Sequence, residues 1–188
     1  ITASGIGFYG EGGDAVLSET SPHGEDYFAK LCVEWESLVL EAELPDIRRV
    51  ATRFGIILGR GGGALDLMAL PAKTGLSGPL GTGKQWWSWV SIDDAVSALE
   101  FALVNDAVSG PINVVAPVPM QQIEFQQVLC SVLNRPCFLP APAFAVRMIL
   151  GRFSTEVLSS KRVEPKALQG LAFSWADPEL EPLLTRLL

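Results

Sequence analysis

The stretch VATRFGIIL, residues 50–58, consists mostly of β-branched and other apolar residues and carries one charge, on Arg53. An apolar run of this length predicts a strand buried on both faces, of the kind found inside a parallel sheet. We place this strand from Arg49 to Leu58, because Gly59 and the glycines that follow it form a turn. The chain is therefore expected to contain an inner strand of an α/β sheet.

The segments on either side of this strand alternate between strand and helix patterns. Before the 50–58 strand, the patterns predict the end of a strand at 1–4, a loop rich in glycine and acids at 5–24 and a helix at 25–43 stopped by Pro45 and Asp46. After it, they predict a helix at 64–73, a loop rich in glycine and tryptophan at 75–90, a helix from Ser91 to Leu103 and a strand at 111–116. Further helices are predicted at 121–134, 142–151 and 154–160, and a last one with Asp177 as N-cap and Pro178 as its first residue.

This order of elements predicts the α/β class, with a parallel sheet followed by a small, mostly helical lobe. We divide the chain into a sheet domain at 1–117 and a carboxy-terminal, substrate-side domain at 118–188. Residues 62–90 are expected to contribute to the cleft between the two domains.

Composition excludes several classes of protein. With 48% hydrophobic residues the chain has enough apolar surface for a core, and its net charge of −7 makes nucleic acid a poor partner. No apolar run reaches the ~20 residues that a membrane span requires. Three cysteines without a CxxC motif and a single histidine predict no metal site and reduced thiols, as in a cytoplasmic protein. Because the chain begins with Ile1, we expect it to be a piece of a longer protein.

The first candidate for catalysis is a triad of Ser4, Tyr27 and Lys30. A lysine one helical turn from a tyrosine lowers the phenol's pKa, so that the tyrosine can transfer a proton while a serine holds the carbonyl. The alternative is that Tyr27 packs at the helix entry and Lys30 points into water. Both interpretations stay open at this stage.

Five segments resemble a known family: SGIGFYG at 4–10, RFGIILGRGGGAL at 53–65, residues 62–96 with the specific block GPLGTGKQWWSWVSIDD, GPINVVAP at 110–117, and a tail with KRVEPKAL at 161–168 and GLAFSWADPEL at 170–180. They are similar to the YfcH-type "epimerase family" proteins, atypical members of the extended short-chain dehydrogenase/reductase superfamily. The resemblance implies the carboxy-terminal part of a Rossmann-like domain that binds NADP(H), followed by a short domain of unassigned role.

The sequence departs from ordinary extended reductases in two respects. Aligning the FYG turn puts Phe28 and Cys32 where the tyrosine and lysine of a YxxxK motif would stand, so the usual dyad is not demonstrated. The glycine-rich motif that binds the cofactor's pyrophosphate is missing from residues 1–188. Residues 11–46 contain ten acidic side chains and one basic side chain, Lys30. We therefore expect residues 1–188 alone to bind NADP(H) weakly or not at all, whereas a chain that includes the upstream segment should bind it well.

The resemblance places the nicotinamide beside the end of the 50–58 strand. Backbone at Gly55, with Ile56 and Ile57 as an apolar wall, would then face the ring, together with Ser4 and Gly5. Arg53 is either a contact to the ligand or a buried structural anchor, and we favour an anchor to Asp93 or Asp94.

The tryptophan-rich segment supplies the candidate substrate contacts. Trp86 and Trp87, with Lys84 beside them, would form an aromatic platform with one cation in a cleft. The alternative is a lid packed on the carboxy-terminal helices.

Together these features predict an NADP(H)-dependent oxidoreductase or an enzyme resembling nucleoside-diphosphate-sugar epimerases, acting on a small-molecule substrate. The alternative function is a catalytically weak NADP(H)-binding or sensing module that has lost the Tyr-Lys dyad. Whether the protein forms a homodimer stays open.

Overall fold

A computed structural model describes residues 1–43 and 46–188. The strands are β1 (Thr2–Gly5), β2 (Val16–Leu17), β3 (Val50–Phe54), β4 (Ile56–Leu58), β5 (Trp86–Trp87), β6 (Trp89–Ser91), β7 (Gly110–Val114), β8 (Met120–Gln121) and β9 (Arg162–Val163). The helices are α1 (Tyr27–Leu40), α2 (Gly63–Lys73), α3 (Ile92–Val104), α4 (Gln122–Val132), α5 (Ala143–Leu150), α6 (Ser154–Leu158), α7 (Lys166–Gly170) and α8 (Leu180–Leu187), with 3-10 turns at Ile6–Tyr9 and Gly151–Phe153. The predicted stop at Pro45 lies outside the described residues.

The central sheet has the strand order β1-β3-β7, and both pairings are parallel. Its register sets Ser4 beside Arg53 and Arg53 beside Asn113. Because alternate residues of a strand point to opposite faces, Val50 packs toward α3 while Arg53 points toward α1. The predicted α/β class with a Rossmann-like parallel sheet is confirmed.

The stretch 50–58 is two strands rather than the one predicted. β3 ends at Phe54, and β4 pairs with β6 instead of continuing in the central sheet. The change of partner occurs at Gly55, whose N–H donates to the carbonyl of Val114 at 3.1 Å, whereas the N–H of Ile56 donates to that of Ser88 at 2.9 Å. The segment predicted as a tryptophan-rich loop therefore contains β5 and β6.

The carboxy-terminal lobe is built on α4 and α8, which pack against each other and against α2. Their shared core includes Leu65, Phe125, Leu129 and Leu183, each at most 1% exposed. The lobe is tied to the amino-terminal half by β9, which pairs in parallel with β2.

The start of α3 is linked to the segment that precedes α8. Ser91 caps α3 as predicted, because its hydroxyl accepts the N–H of Asp94 at 3.0 Å. The Asp94 carboxylate does not return to Ser91; it accepts the N–H groups of Ala176 and Asp177 at 2.7 and 3.0 Å. Since Asp177 is held in this way, α8 begins only after Glu179, and the predicted N-cap at Asp177 is wrong.

Candidate functional site

A cavity of about 590 Å³ lies where the carboxyl ends of β1 and β3 meet the carboxy-terminal lobe. Ligands of open parallel sheets bind outside this end of the strands. The walls come from the ends of β1 and β3, from β4, α2, the loop around 77–80, β5 and α4, and from the segment 150–161. The lining includes Gly5, Gly7, Phe54, Gly55, Ile56, Ile57, Leu67, Met68, Ser77, Trp86, Trp87, Ser88, Gln126, Phe153, Glu156, Ser159 and Lys161.

A second concavity, of about 620 Å³, lies on α3 and is lined by Ser97, Glu100, Phe101 and Phe173 among others. Glu100 is the one titratable side chain among the described residues that line it. It offers no set of converging polar groups, so we assign the functional site to the first cavity.

The two tryptophans predicted for the substrate platform both line the cavity. Trp87 is almost fully buried, and its Nε1 donates to the carbonyl of Val157 at 3.1 Å. Trp86 is half-buried, and its Nε1 donates to Asp14 at 2.9 Å. These hydrogen bonds fix both rings between the amino-terminal loop and α6. Lys84 is exposed and lies outside the cavity lining.

The predicted cofactor wall also lies in the cavity. Gly5, Gly55, Ile56 and Ile57 are all in its lining. The reason for a glycine at 55 differs from the one expected, since a Cβ there would lie 2.5 Å from the carbonyl oxygen of Ser88. Gly55 is thus required by the close packing of two backbone segments.

Arg53 is a structural anchor, as favoured, but its partner is neither Asp93 nor Asp94. Its Nε and Nη2 donate to the two carboxylate oxygens of Glu36 on α1, at 2.9 and 2.7 Å. Both aspartates have other partners: Asp93 pairs with Arg186, and Asp94 accepts the N–H groups of Ala176 and Asp177. The sequence could not show this pairing, because Glu36 lies in a helix whose register on the sheet is set by packing.

The same anchor engages Ser4 and Tyr9. The Ser4 hydroxyl donates to Glu36 at 2.7 Å, and Arg53 Nη1 donates to the Tyr9 hydroxyl at 3.0 Å. Tyr9 in turn donates to Asn113 at 2.7 Å. Burial raises the pKa of Tyr9. Ser4 and Arg53 are therefore next to the cavity but outside its lining.

Tyr27 and Lys30 lie on the exposed side of α1. Tyr27 is 58% exposed, and Lys30 pairs with Glu25 at 3.7 Å. Neither residue lines the cavity, so the structure does not bring Ser4, Tyr27 and Lys30 together at it.

The Cys32 thiol is buried on α1 beside the anchor. Burial raises its pKa, although the Ser4 hydroxyl acts in the opposite direction. A raised pKa leaves less thiolate at pH 8, and the thiolate is the nucleophile. This agrees with the interpretation of Cys32 as a core residue.

We therefore expect iodoacetamide to label Cys32 at pH 8 at least ~10-fold more slowly in the folded protein than in urea. Peptide mass spectrometry measures the labelled fraction over time. Equal rates in the folded and unfolded protein would contradict the burial of this thiol.

Sequence reasoning missed the polar side chains of the cavity. Lys161 is 2% exposed, and its Nζ lies 3.4 Å from Oε2 of Glu156 and donates to Ser159. Gln126 donates to Ser77 at 2.6 Å on the opposite wall. The sequence places Lys161 in a polar run, SSKR, and only its burial marks it as unusual.

Among the residues that the structure describes, no cluster of His, Cys, Asp and Glu has the arrangement of a metal site. The same residues contain no helix long and apolar enough to cross a membrane.

Known proteins resemble the chain in sequence and in fold. Residues 141–187 match a family described as a domain of unknown function, DUF1731. The "Epimerase family protein SDR39U1 homolog, chloroplastic" of Arabidopsis thaliana is 41% identical over 175 residues, which cover 93% of this chain and 50% of that protein.

Two crystal structures have the same fold. Human epimerase family protein SDR39U1 (isoform 2), crystallised with NADPH, matches with a TM-score of 0.91 and 34% identity, over 98% of this chain and 63% of that one. The nucleoside-diphosphate sugar epimerase from Corynebacterium glutamicum matches with a TM-score of 0.81 and 29% identity, over 99% of this chain and 37% of that one. The chain thus spans between 37% and 63% of the length of these three relatives.

Proposed function

We propose that the chain belongs to the epimerase family of proteins, whose members it resembles over nearly all of its length, and that it binds NADP(H). We propose further that the protein is an NADP(H)-dependent oxidoreductase or an epimerase-like enzyme with a small-molecule substrate. The human relative was crystallised with NADPH, which supports the choice of cofactor.

The observation that carries this proposal is the position of the cavity. It opens at the carboxyl ends of two parallel strands and is lined by Gly5 on one strand and by Phe54 and Gly55 at the end of the other. In doubly wound sheets this is where dinucleotides bind.

The residues at this position fit the nicotinamide end of the cofactor. Ile56 and Ile57 provide an apolar surface for one face of a flat ring, and the 156–161 segment adds Glu156, Ser159 and Lys161 to the same cavity. When bound, the nicotinamide accepts or supplies a hydride. The side chains of this chain would hold the ring, orient the substrate and exclude water.

Ile57 offers a test, because it lines the cavity and is 37% exposed. We expect Ile57→Glu to weaken NADPH binding at least ~10-fold, since a carboxylate would have to be desolvated against the apolar wall. Calorimetry on the protein at its natural full length measures the dissociation constant.

Ile92→Glu is the matched control. Ile92 is 42% exposed and lies outside the cavity lining, at the first position of α3. The helix dipole stabilises a carboxylate at this position. Its NADPH affinity should equal that of the unmodified protein. If the two variants bind NADPH equally well, the proposed cofactor wall is wrong.

One observation favours the second candidate function, a catalytically weak NADP(H)-binding or sensing module. Tyr27 and Lys30 are exposed on α1, and no tyrosine is among the described residues that line the cavity. Assays of NADPH oxidation with carbonyl compounds and of NADP(H)-dependent turnover of nucleotide sugars distinguish the two functions. Binding without turnover across both panels would favour the sensing module.

We also propose residues 118–188 as the substrate side of the site. This lobe supplies Gln126, Glu156, Ser159 and Lys161 to the cavity, whereas the predicted cofactor wall comes from residues before 60.

A further inference from the structure

The cavity contains an acidic and a basic side chain in contact, and we propose that Glu156 exchanges a proton with the substrate while Lys161 positions its carboxylate. This inference rests on the proposed function. It assigns the proton transfer to the carboxy-terminal lobe instead of α1.

The carboxylate of Glu156 has one oxygen engaged and one oxygen available. Oε2 lies 3.4 Å from Nζ of Lys161. Oε1 is buried, and no described residue hydrogen-bonds it. A buried acceptor without a partner is costly, so its presence beside a cavity indicates a ligand that completes the hydrogen bond.

Glu156 also lies next to the end of β1. A Cβ on Gly7 would lie 3.2 Å from its Oε2 and 3.5 Å from its Oε1, so the carboxylate packs directly on the backbone of the 3-10 turn. The turn follows Gly5, which lines the cavity at the strand end. The orphaned oxygen is therefore at the edge where the nicotinamide is proposed to bind.

Glu156 and Lys161 are the titratable side chains among the described residues that line the cavity. The other lining groups that carry hydrogen-bonding atoms are serines, Gln126 and tryptophan rings. Among these side chains, Glu156 and Lys161 are therefore the candidates for proton transfer. Because Lys161 is held by both Ser159 and Glu156, we assign the exchange to the carboxylate and the positioning to the ammonium.

The other charged or titratable groups around Glu156 come from the elements packed near it. Cys32 faces it from α1, and burial raises the pKa of that thiol, so it stays neutral below pH 8. Arg152, in the turn before α6, stacks on Tyr27 at 5.4 Å, and Arg147 on α5 is exposed. Glu36 is fully engaged by Arg53.

The proposed step balances in the direction of oxidation. The O–H bond of the substrate alcohol breaks and its proton passes to Oε1 of Glu156. The hydride of the carbon that bears the hydroxyl would leave to a bound nicotinamide, and the electron pair of the O–H bond would form the second bond of the carbonyl. The reverse step returns the proton from Glu156 to the carbonyl oxygen.

A charge effect tests this placement without any substrate. The nicotinamide ring is positive in NADP⁺ and neutral in NADPH, so a carboxylate within ~6 Å of the ring favours NADP⁺. Replacing that carboxylate by a neutral amide of the same shape removes the preference. Calorimetry on the full-length protein at neutral pH measures the affinity ratio of NADP⁺ to NADPH, and Glu156→Gln should lower this ratio at least ~10-fold.

The variants separate the two residues. Glu25→Gln, at an exposed carboxylate, should leave the affinity ratio within twofold of that of the unmodified protein. Lys161→Met should change the ratio at least twofold, because the ammonium no longer holds the carboxylate in place, and Lys161→Arg should restore it. If Glu156→Gln fails to fold, the double variant Glu156→Gln/Lys161→Met removes both buried charges and should give the same lowered ratio.

Three outcomes overturn the proposal. An affinity ratio that Glu156→Gln leaves unchanged shows that Glu156 does not face the ring, while NADP(H) binding itself stands. An unchanged ratio in Lys161→Met removes the positioning role. If neither NADP⁺ nor NADPH binds, the proposed function fails as well.

Discussion

Replacing Glu36 with alanine is expected to lower the free energy of unfolding by about 3–5 kcal/mol, the cost of leaving a buried charge without its partner. The side chains of Glu36 and Arg53 are each 4% exposed, and their contact is bidentate. The variant would leave the Arg53 guanidinium with the Tyr9 hydroxyl and the Phe8 ring, which lies 3.4 Å away. Urea unfolding followed by circular dichroism measures the loss.

Two further variants show whether the loss comes from the unpaired charge. Glu36→Leu combined with Arg53→Met removes both charges and fills similar volume, so it should recover most of the stability. Glu25→Ala removes an exposed carboxylate whose pair with Lys30 is solvated, and should change stability by less than about 0.5 kcal/mol. A loss below about 1 kcal/mol in Glu36→Ala would mean that another group pairs with the Arg53 guanidinium or that water solvates it.

The second large effect is expected at Trp87. Trp87→Ala should cost about 3–5 kcal/mol, because the ring is 4% exposed and packs edge-on against Phe125 at 5.4 Å in the core of the lobe. The indole also loses its hydrogen bond to Val157. Lining a cavity does not reduce this cost much when most of the ring contacts protein.

Trp86→Ala is the matched variant on the neighbouring residue. Its ring is half-buried and stacks under Arg162 at 4.3 Å, so we expect a loss of about 1 kcal/mol. Circular dichroism in urea compares the two, since tryptophan fluorescence changes in both variants. Equal losses would show that the two rings share one role, either as packing residues or as an open platform.

The sequence predicted the fold well where the signal is local. The apolar run at 50–58, the amphipathic pattern of α1 and the Ser91 cap depend on neighbouring residues, and each has a counterpart in the structure. The split at Gly55 was missed because it depends on Val114 and Ser88, which are distant in sequence.

The candidate site was predicted only in part, for the same reason. The apolar wall and the tryptophans follow from local composition, and the structure places them in one cavity. Glu156 and Lys161 look like ordinary surface residues in sequence, and Arg53 gives no hint of which acid it meets. Burial and long-range pairing, which no local pattern encodes, distinguish these residues from solvated charges.

The pairing of β2 with β9 bears on when the cavity forms during synthesis. The Ser160 N–H and hydroxyl bind Glu11 and the carbonyl of Gly13 across 149 and 147 positions of the chain, next to the paired strands. Contacts of such long range form slowly and only after the second partner has left the ribosome. Until residue 163 emerges, β2 therefore has no β9 to pair with, and the wall of the cavity that residues 156–161 provide is incomplete.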